Sequence, residues 1–258
     1  MTRIIHLSDP HFGTVPANLP TALAATLATL SPDAVILSGD LTQRARPSQF
    51  AAARRFIATC PAPLLAIPGN HDIPLFNLPL RLLAPWRNWT QGLALPLEGD
   101  ITTPRALIAG INTANPHVWK DGRIRPAQLD RLAALFARAG DRRRIVALHH
   151  PPEPPNGEAP SLADAALAVA AFAEMGVDML LSGHLHFTHI APLTAAPSIL
   201  SVQAGTCLST RTRKDGNAFS MIDLTEDGAT ITHFRATPDG SFQPDAAVSW
   251  ARTQAGWR

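Results

Sequence analysis

The stretch Ile4-Ile5-His6-Leu7-Ser8-Asp9-Pro10-His11 decides how this chain is read. A short run of strand-like composition stops abruptly at a serine, an acid and a histidine. The event recurs four times. Ala34–Leu37 runs into Ser38-Gly39-Asp40, and Leu64–Ile67 into Pro68-Gly69-Asn70-His71-Asp72. Ile145–Leu148 runs into His149-His150-Pro151, and Met179–Leu181 into Ser182-Gly183-His184-Leu185-His186. In open α/β sheets, ligand sites gather at the carboxyl ends of strands. Five such ends would bring two Asp, one Asn and several His together. That mixture of hard oxygen and imidazole nitrogen suits divalent first-row metals.

Between these runs lie helical patterns. Leu19, Leu23, Leu27 and Leu30 recur at helical spacing. Ser48–Cys60 puts Phe50, Ala53 and Phe56 on one stripe, and Pro126–Ala139 opens with proline at a first-turn position. Ser161–Met175 reads as an Ala-rich helix. The first two-thirds of the chain therefore alternates strand and helix, the sign of crossover units. The last third changes character. Ile190–Leu193, Ile199–Gln203, Ala218–Leu224 and Ala229–Arg235 read as strands, with a hairpin turn at Glu226-Asp227-Gly228. This pattern predicts a second sheet packed on the first. Residues 1–258 read as one domain, without an internal linker. Segment 73–104 reads either as a lid or substrate wall or as an irregular helix with a packed loop. The tail 238–258 is expected to wrap the body or to contact a partner chain.

Bulk numbers exclude several classes. With 46% hydrophobic residues the chain can bury a core, and its net charge of +2 argues against a nucleic-acid duplex as partner. Tyrosine is absent, so stacking platforms for single strands are poorly supplied. Cys60 and Cys207 make neither a disulfide framework nor a zinc knuckle, and read as small apolar fillers. Asp164, Glu174 and Asp178 interrupt the apolar stretch 162–181, so it is not a membrane span. Removing a leader of about 15–30 residues would take Asp9 with it, so no signal peptide and a cytoplasmic location are expected.

Singly, each polar strand end is a weak signal. Together, Asp9/His11, Gly39/Asp40, Gly69/Asn70/His71, His149/Pro151 and Gly183/His184/His186 resemble, in order, the motifs of the calcineurin-like metallophosphoesterase superfamily. The resemblance implies a four-layer αββα sandwich, two mixed β-sheets flanked by helices. It also implies two divalent ions, commonly Mn or Fe and alternatively Zn. By analogy Asp9, His11, Asp40 and His186 hold one ion, and Asp40, Asn70, His149 and His184 the other. Asp40 bridges through its carboxylate. His149 rather than His150 is expected as ligand, because the family places the ligand two residues before proline. His71 is implied to lie by the leaving group, either protonating it or stabilising the transition state. Asp72 reads either as the orienter of that imidazole or as a helix cap. His6 and His189 read as structural, and His117 as a loop residue with a weaker claim to face substrate.

The chemistry implied is hydrolysis of a phosphoester by a hydroxide shared between two ions roughly 3.5–4 Å apart. Formal charge favours a diester mildly: two metals, two aspartates and a hydroxide sum to +1, which a diester monoanion neutralises. Ser8-Asp9-Pro10-His11-Phe12, Gly39-Asp40-Leu41-Thr42, Gly69-Asn70-His71-Asp72 and His149-His150-Pro151 are most similar to the bacterial class III cyclic-nucleotide phosphodiesterase and glycerophosphodiesterase branch. In that branch the partner is a small phosphodiester, and homodimers are common. Two alternatives stand beside it: a UDP-diacylglucosamine-type pyrophosphatase or phosphomonoesterase, and an interaction scaffold that uses the fold without turnover.

Overall fold

A computed structural model describes residues 1–155, 157–213, 215–254 and 256–258. The chain begins β1 (Thr2–Leu7), α1 (Leu19–Leu30), β2 (Ala34–Ser38), α2 (Pro47–Ile57) and β3 (Leu64–Ile67). Then come α3 (Leu78–Leu83), α4 (Arg87–Leu93), β4 (Gly99–Thr102), β5 (Ala106–Gly110), β6 (Gly122–Arg123), α5 (Pro126–Phe136), β7 (Arg143–Ala147), β8 (Leu162–Ala163), α6 (Ala165–Glu174) and β9 (Met179–Ser182). The last third adds β10 (His189–Pro192), β11 (Leu200–Gln203), β12 (Ala218–Leu224), β13 (Gly228–Ala236), β14 (Phe242–Pro244), β15 (Val248–Thr253) and β16 (Gly256–Trp257).

Two mixed sheets result. The first runs β16-β15-β13-β12-β1-β2-β3, with β14 also on β13. The second runs β10-β11-β9-β7-β5-β4, and β6 and β8 form a separate two-stranded pair. Strand alternation separates the layers. Ile5 and Leu7 of β1, with Val35 and Leu37 of β2, pack outward against Leu23 and Leu27 of α1 and Phe50 and Phe56 of α2. Ile4 and Ile36 point the other way, onto Ile108, Ile145, Met179 and Leu181 of the second sheet. Val146 and Leu180 face out again, under Leu132 and Phe136 of α5 and Phe172 of α6. The order helix, sheet, sheet, helix is the predicted αββα sandwich. Each fully buried Leu, Ile or Phe in these three interfaces contributes about 1.5–3 kcal/mol of transfer free energy.

The structure corrects how the sheets divide along the chain. The late antiparallel strands do not form a second sheet of their own. β12 pairs antiparallel with β1 and extends the first sheet. β11 pairs parallel with β9 and extends the second. A run such as Ala106–Gly110, buried on both faces, carries no alternation that would mark it, and this central strand was not among the five runs. The expected helix at 161–175 is preceded by β8 and starts only at Ala165.

Segment 73–104 divides in two. Trp89 of α4 is fully buried against Phe50, edge to face. α3 instead exposes Leu78, Leu82 and Leu83, next to exposed Phe76. Buried Arg81 ties α3 to the facing loop, donating to the Pro116 carbonyl (2.7 Å) and to Val118 O. The tail pairs back on the body: β15 lies antiparallel on β13, and Trp257 Nε1 donates to Asp178 O at 2.8 Å. Among the described residues, no helix is long and apolar enough to cross a membrane.

Candidate metal centre

The carboxyl ends of β1, β2 and β3 belong to one sheet and those of β7 and β9 to the other, so the site sits on the seam between them. The β1–β2 pairing continues past both strands. Asp9 N donates to Gly39 O (3.1 Å), His11 N to Asp40 O (3.0 Å) and Phe12 N to Leu41 O (2.8 Å). Across the seam, His184 N donates to Asp9 Oδ2 (3.0 Å) and Cys207 N to Ser8 O (3.0 Å). Asp9, His11, Asp40, His184 and His186 all have positive φ, between 47° and 73°. Left-handed backbone at residues with a Cβ costs about 1–3 kcal/mol each, so the strain is concentrated on the residues that build this site. Gly39 (φ +99°) lies against His149, where a Cβ would meet Nδ1 at 2.4 Å.

One cluster consists of Asp9, His11, Asp40 and His186, all buried. Nε2 of His186 lies 3.2 Å from Asp9 Oδ1 and 3.0 Å from Nε2 of His11. Burial works against the Asp9 carboxylate, but the neighbouring His186 outweighs it and holds the carboxyl well below the usual range. Asp40 behaves likewise: burial opposes ionisation, and His149, His71 and His11 prevail. His186 Nδ1 lies 2.8 Å from the Arg211 carbonyl, which makes it the protonated nitrogen and turns Nε2 inward.

The second cluster contains His149, His150 and His184. His149 Nδ1 donates to Ser38 O at 2.8 Å, and its Nε2 sits 3.4 Å from Asp40 Oδ2 without a hydrogen-bond partner. Both nitrogens of His150 are taken, Nδ1 by Thr113 Oγ1 (2.7 Å) and Nε2 by Lys120 O (2.8 Å). Of the adjacent pair, only His149 keeps a nitrogen to offer. Asp40 Oδ2 faces both clusters, 3.8 Å from His11 Nε2 on the other side. Asp40 Oδ1 accepts the His71 amide at 2.7 Å, so a shared contact would run through one oxygen rather than two. Three buried atoms aimed at this region lack any partner: Asp9 Oδ1, Asn70 Oδ1 and His149 Nε2. Buried lone pairs left unpaired are costly, and divalent cations satisfy this oxygen and nitrogen donor set.

His71 borders the clusters, its ring centroid 4.9 Å from that of His11. Its Nδ1 meets Gln43 O at 2.9 Å and its Nε2 meets Arg211 Nη1 at 2.9 Å. Asp72 does not hold this imidazole. Its carboxylate accepts from Leu41 N (3.0 Å), Thr42 N (2.8 Å), Thr42 Oγ1 (2.8 Å) and Gly69 N (3.0 Å). Burial and the nearby Asp40 push the Asp72 carboxyl up to about 7, while these donors pull it down. Asp72 thus ties the loop after β2 to the loop after β3, and its expected contact with the His71 ring is replaced by Gln43 and Arg211.

Three features escaped the sequence reading. Asp9 Oδ2 accepts from Ser8 Oγ (2.6 Å), Ser38 Oγ reaches Ser8 Oγ (2.9 Å), and His6 Nε2 meets Ser38 Oγ (2.8 Å), so a buried polar chain backs the first acid. Thr206 Oγ1 donates to the Asp9 carbonyl at 2.5 Å. Arg211 comes from a loop 140 residues beyond His71, and no spacing could announce it. The cleft over the site holds about 260 Å³ and is lined by Asp40, Asn70, His71, Lys120, His184 and Arg211 among others. Larger clefts, such as one of about 750 Å³ around Arg142 and Glu226, contain none of the clustered histidines. His117 is exposed on its loop and outside the cleft lining, and His189 lies on β10. Both cysteines are free thiols, and burial pushes Cys60 up to about 11.

Comparison with known proteins agrees with this geometry. The chain is 31% identical over 164 residues to the glycerophosphodiester phosphodiesterase GpdQ of Enterobacter lignolyticus, covering 58% of this chain and 57% of that protein. It therefore matches little more than half the length of that relative. It is 29% identical to a cAMP/cGMP dual specificity phosphodiesterase of Mycobacterium tuberculosis (89% of this chain, 77% of the other). It is 25% identical to the 3',5'-cyclic adenosine monophosphate phosphodiesterase CpdA of Escherichia coli (95% and 93%). A dimetal phosphatase from Danio rerio superposes with a TM-score of 0.68 at 12% identity, over 96% of this chain and 98% of that one. PhoD does so with 0.73 at 11%, over 100% and 71%. At such identities the structural likeness speaks to the fold alone. The profile of the calcineurin-like phosphoesterase family spans residues 2–187, and so takes in all five polar strand ends. On that match, and on a sandwich whose seam gathers these residues, the chain belongs to the calcineurin-like phosphoesterase family.

Proposed function

We propose that this phosphoric ester hydrolase cleaves a small phosphodiester, of cyclic-nucleotide or glycerophosphodiester type, with two divalent ions held by Asp9, His11, Asp40, Asn70, His149, His184 and His186. The observation that carries the reading is Asp40 Oδ2, which faces His11 on one side and His149 on the other. One carboxylate oxygen thereby joins two donor clusters. When bound, such ions polarise phosphoryl oxygens and acidify water at neutral pH. Mn or Fe is the favoured pair, and Zn also suits the donor set.

The chain's own residues do the rest. Gln43, Ser38 and Arg211 offer the backbone carbonyls that fix the rings of His71, His149 and His186. Asp72 locks the two loops that carry Asp40 and Asn70. Lys120, Arg211 and Arg213 line the cleft and attract an anionic ester. The relatives named for cyclic nucleotides and glycerophosphodiesters support the substrate class. One observation favours a second reading, a pyrophosphatase acting on a nucleotide-lipid: the exposed Phe76, Leu82 and Leu83 form an apolar surface beside the loop that carries Lys120.

The test is a screen of the Mn-loaded protein against bis(p-nitrophenyl) phosphate, cyclic AMP, a glycerophosphodiester, p-nitrophenyl phosphate and UDP-diacylglucosamine. Turnover of diesters well above the monoester is expected. Preference for the monoester or for the nucleotide-lipid would overturn the substrate class.

A further inference from the structure

We propose that the exposed apolar side chains of α3 and of the facing loop dock this protein onto an anionic phospholipid surface, with the mouth of the metal cleft turned toward the headgroups. The docking face takes no part in the chemistry of the cleft, and it stands independently of which ester is cleaved.

Nine large hydrophobic side chains are exposed among the described residues. Six of them, Phe76, Leu78, Leu82, Leu83, Val118 and Trp119, fall in two short segments. Buried Arg81 fastens these segments to each other. Its guanidinium donates to Pro74 O (3.2 Å), Pro116 O (2.7 Å) and Val118 O, and its Cζ lies 5.0 Å from the centre of the Trp119 ring. The patch is therefore a built surface rather than a set of scattered leucines. Leu83 is 86% exposed and Phe76 79%, so the chain's own fold covers neither. None of the six lines the cleft over the metal seam. Contiguous apolar surface of this kind marks a contact with a protein or with a membrane.

Charge decides between the two. From Leu41 to Leu97 the chain carries six arginines and one acid, and that acid, Asp72, is buried at the metal seam. Arg44 Cζ lies 5.9 Å from the centre of the Phe76 ring. Exposed Arg87 opens α4 just after Leu83, and exposed Lys120 follows Trp119. Against them stands Asp121, next to Lys120 and partly buried. A second copy docked through the same face would set these cations against their own counterparts. Anionic headgroups complement them, and each cation near such a bilayer strengthens binding about fivefold. Leucine, phenylalanine and tryptophan suit the boundary between headgroups and acyl chains. Lys120 also lines the cleft, and Arg44 Nη1 lies 3.3 Å from His71 Nδ1, so patch and cleft share a border. A docked molecule thus opens its cleft close to the headgroup layer.

Co-sedimentation of the full chain with unilamellar vesicles tests the proposal. Vesicles of phosphatidylcholine with about one-third phosphatidylglycerol should retain the native protein at about 0.1 M NaCl and release most of it at about 0.5 M. Pure phosphatidylcholine vesicles should bind at least about tenfold more weakly. The double variant Leu82→Ser/Leu83→Ser, and separately Arg87→Glu, should each lower affinity for the anionic vesicles by about tenfold or more. Leu167→Ser, at an exposed leucine of α6, should bind like the native protein. All three variants should keep native kcat/KM on bis(p-nitrophenyl) phosphate, which also shows that they fold. Failure of anionic vesicles to retain the native protein would overturn the proposal and leave an acidic protein face as the occupant. Native-like vesicle binding by the patch variants would overturn it too. So would a dimer in sedimentation velocity that Leu82→Ser/Leu83→Ser dissolves, since the face would then join two copies of the chain. If the native protein cleaves no diester, the substrate reading fails, while vesicle binding still judges the docking face.

Discussion

Nε2 of His11 and Nε2 of His186 face each other at 3.0 Å, although 175 residues separate them in the chain. The two rings come from the ends of strands in different sheets, and both stand on left-handed backbone. With His186 Nδ1 committed to the Arg211 carbonyl, its Nε2 points into the site. A shared cation is the chemistry that such a pair serves beside two ionised aspartates.

The first prediction follows from that pair. The native protein should take up two equivalents of Mn²⁺, measured by elemental analysis after dialysis. Asp40→Asn should reduce this below one, because both clusters lose their common oxygen. His186→Ala should lose about one equivalent and keep the other. Saturating metal should also raise the unfolding free energy by about 2.7 kcal/mol per site at a hundred times Kd. Two full equivalents in Asp40→Asn would refute the shared-oxygen arrangement.

The adjacent histidines should separate cleanly. His149→Ala should lose metal at the cluster it serves. His150→Ala should keep full metal content yet be less stable by about 1–3 kcal/mol, since Thr113 Oγ1 and the Lys120 carbonyl lose a buried partner. Metal analysis and urea denaturation decide this pair, and loss of metal in His150→Ala would contradict it.

Gly39 should be intolerant of even one methyl group. Its φ of +99° disfavours any side chain, and the new Cβ would press on His149 Nδ1. Gly39→Ala is expected to cost about 1–3 kcal/mol in stability and to weaken metal binding at the same time. Calorimetric Mn²⁺ titration of the folded variant reads the second effect, and native affinity would show that the loop can move aside.

The metal-free protein should lose stability as pH falls below 6.5. His6 is fully buried, and burial lowers its folded pKa to about 3, against an unfolded value near 6.5. Above pH 6.5 both states are neutral and His6 contributes nothing. Below it the unfolded chain binds a proton that the folded one refuses, so stability falls by about 1.4 kcal/mol per pH unit until roughly pH 3. Urea unfolding in chelator at pH 7.5, 6.0 and 5.0 should show a shallower slope in His6→Asn than in the native protein. Equal slopes would show that His6 is not held neutral.

How far the site could be read in advance differs from residue to residue. Asp9, Asp40 and Asn70 announce themselves because each follows a greasy run at once, and the chain has to leave the sheet there. Burial of β5 on both faces erased the alternation by which Ala106–Gly110 could be recognised. Asp72 was legible as a polar residue at a strand end but not as a tie between loops, since its partners Leu41 and Thr42 lie 31 and 30 residues away.

Local chemistry in the sequence determined the strands, their polar ends and the donor atoms that a metal would need, because these depend on residue type and on spacing of a few positions. Only the tertiary structure decided which sheet each strand joins, that Asp40 offers one oxygen to both clusters, that both nitrogens of His150 are taken while His149 keeps one, and that Arg211 meets His71. Those outcomes depend on which backbone carbonyl or guanidinium arrives beside a ring from a distant part of the chain. Such encounters are set by packing across the seam of two sheets, and no local pattern encodes them.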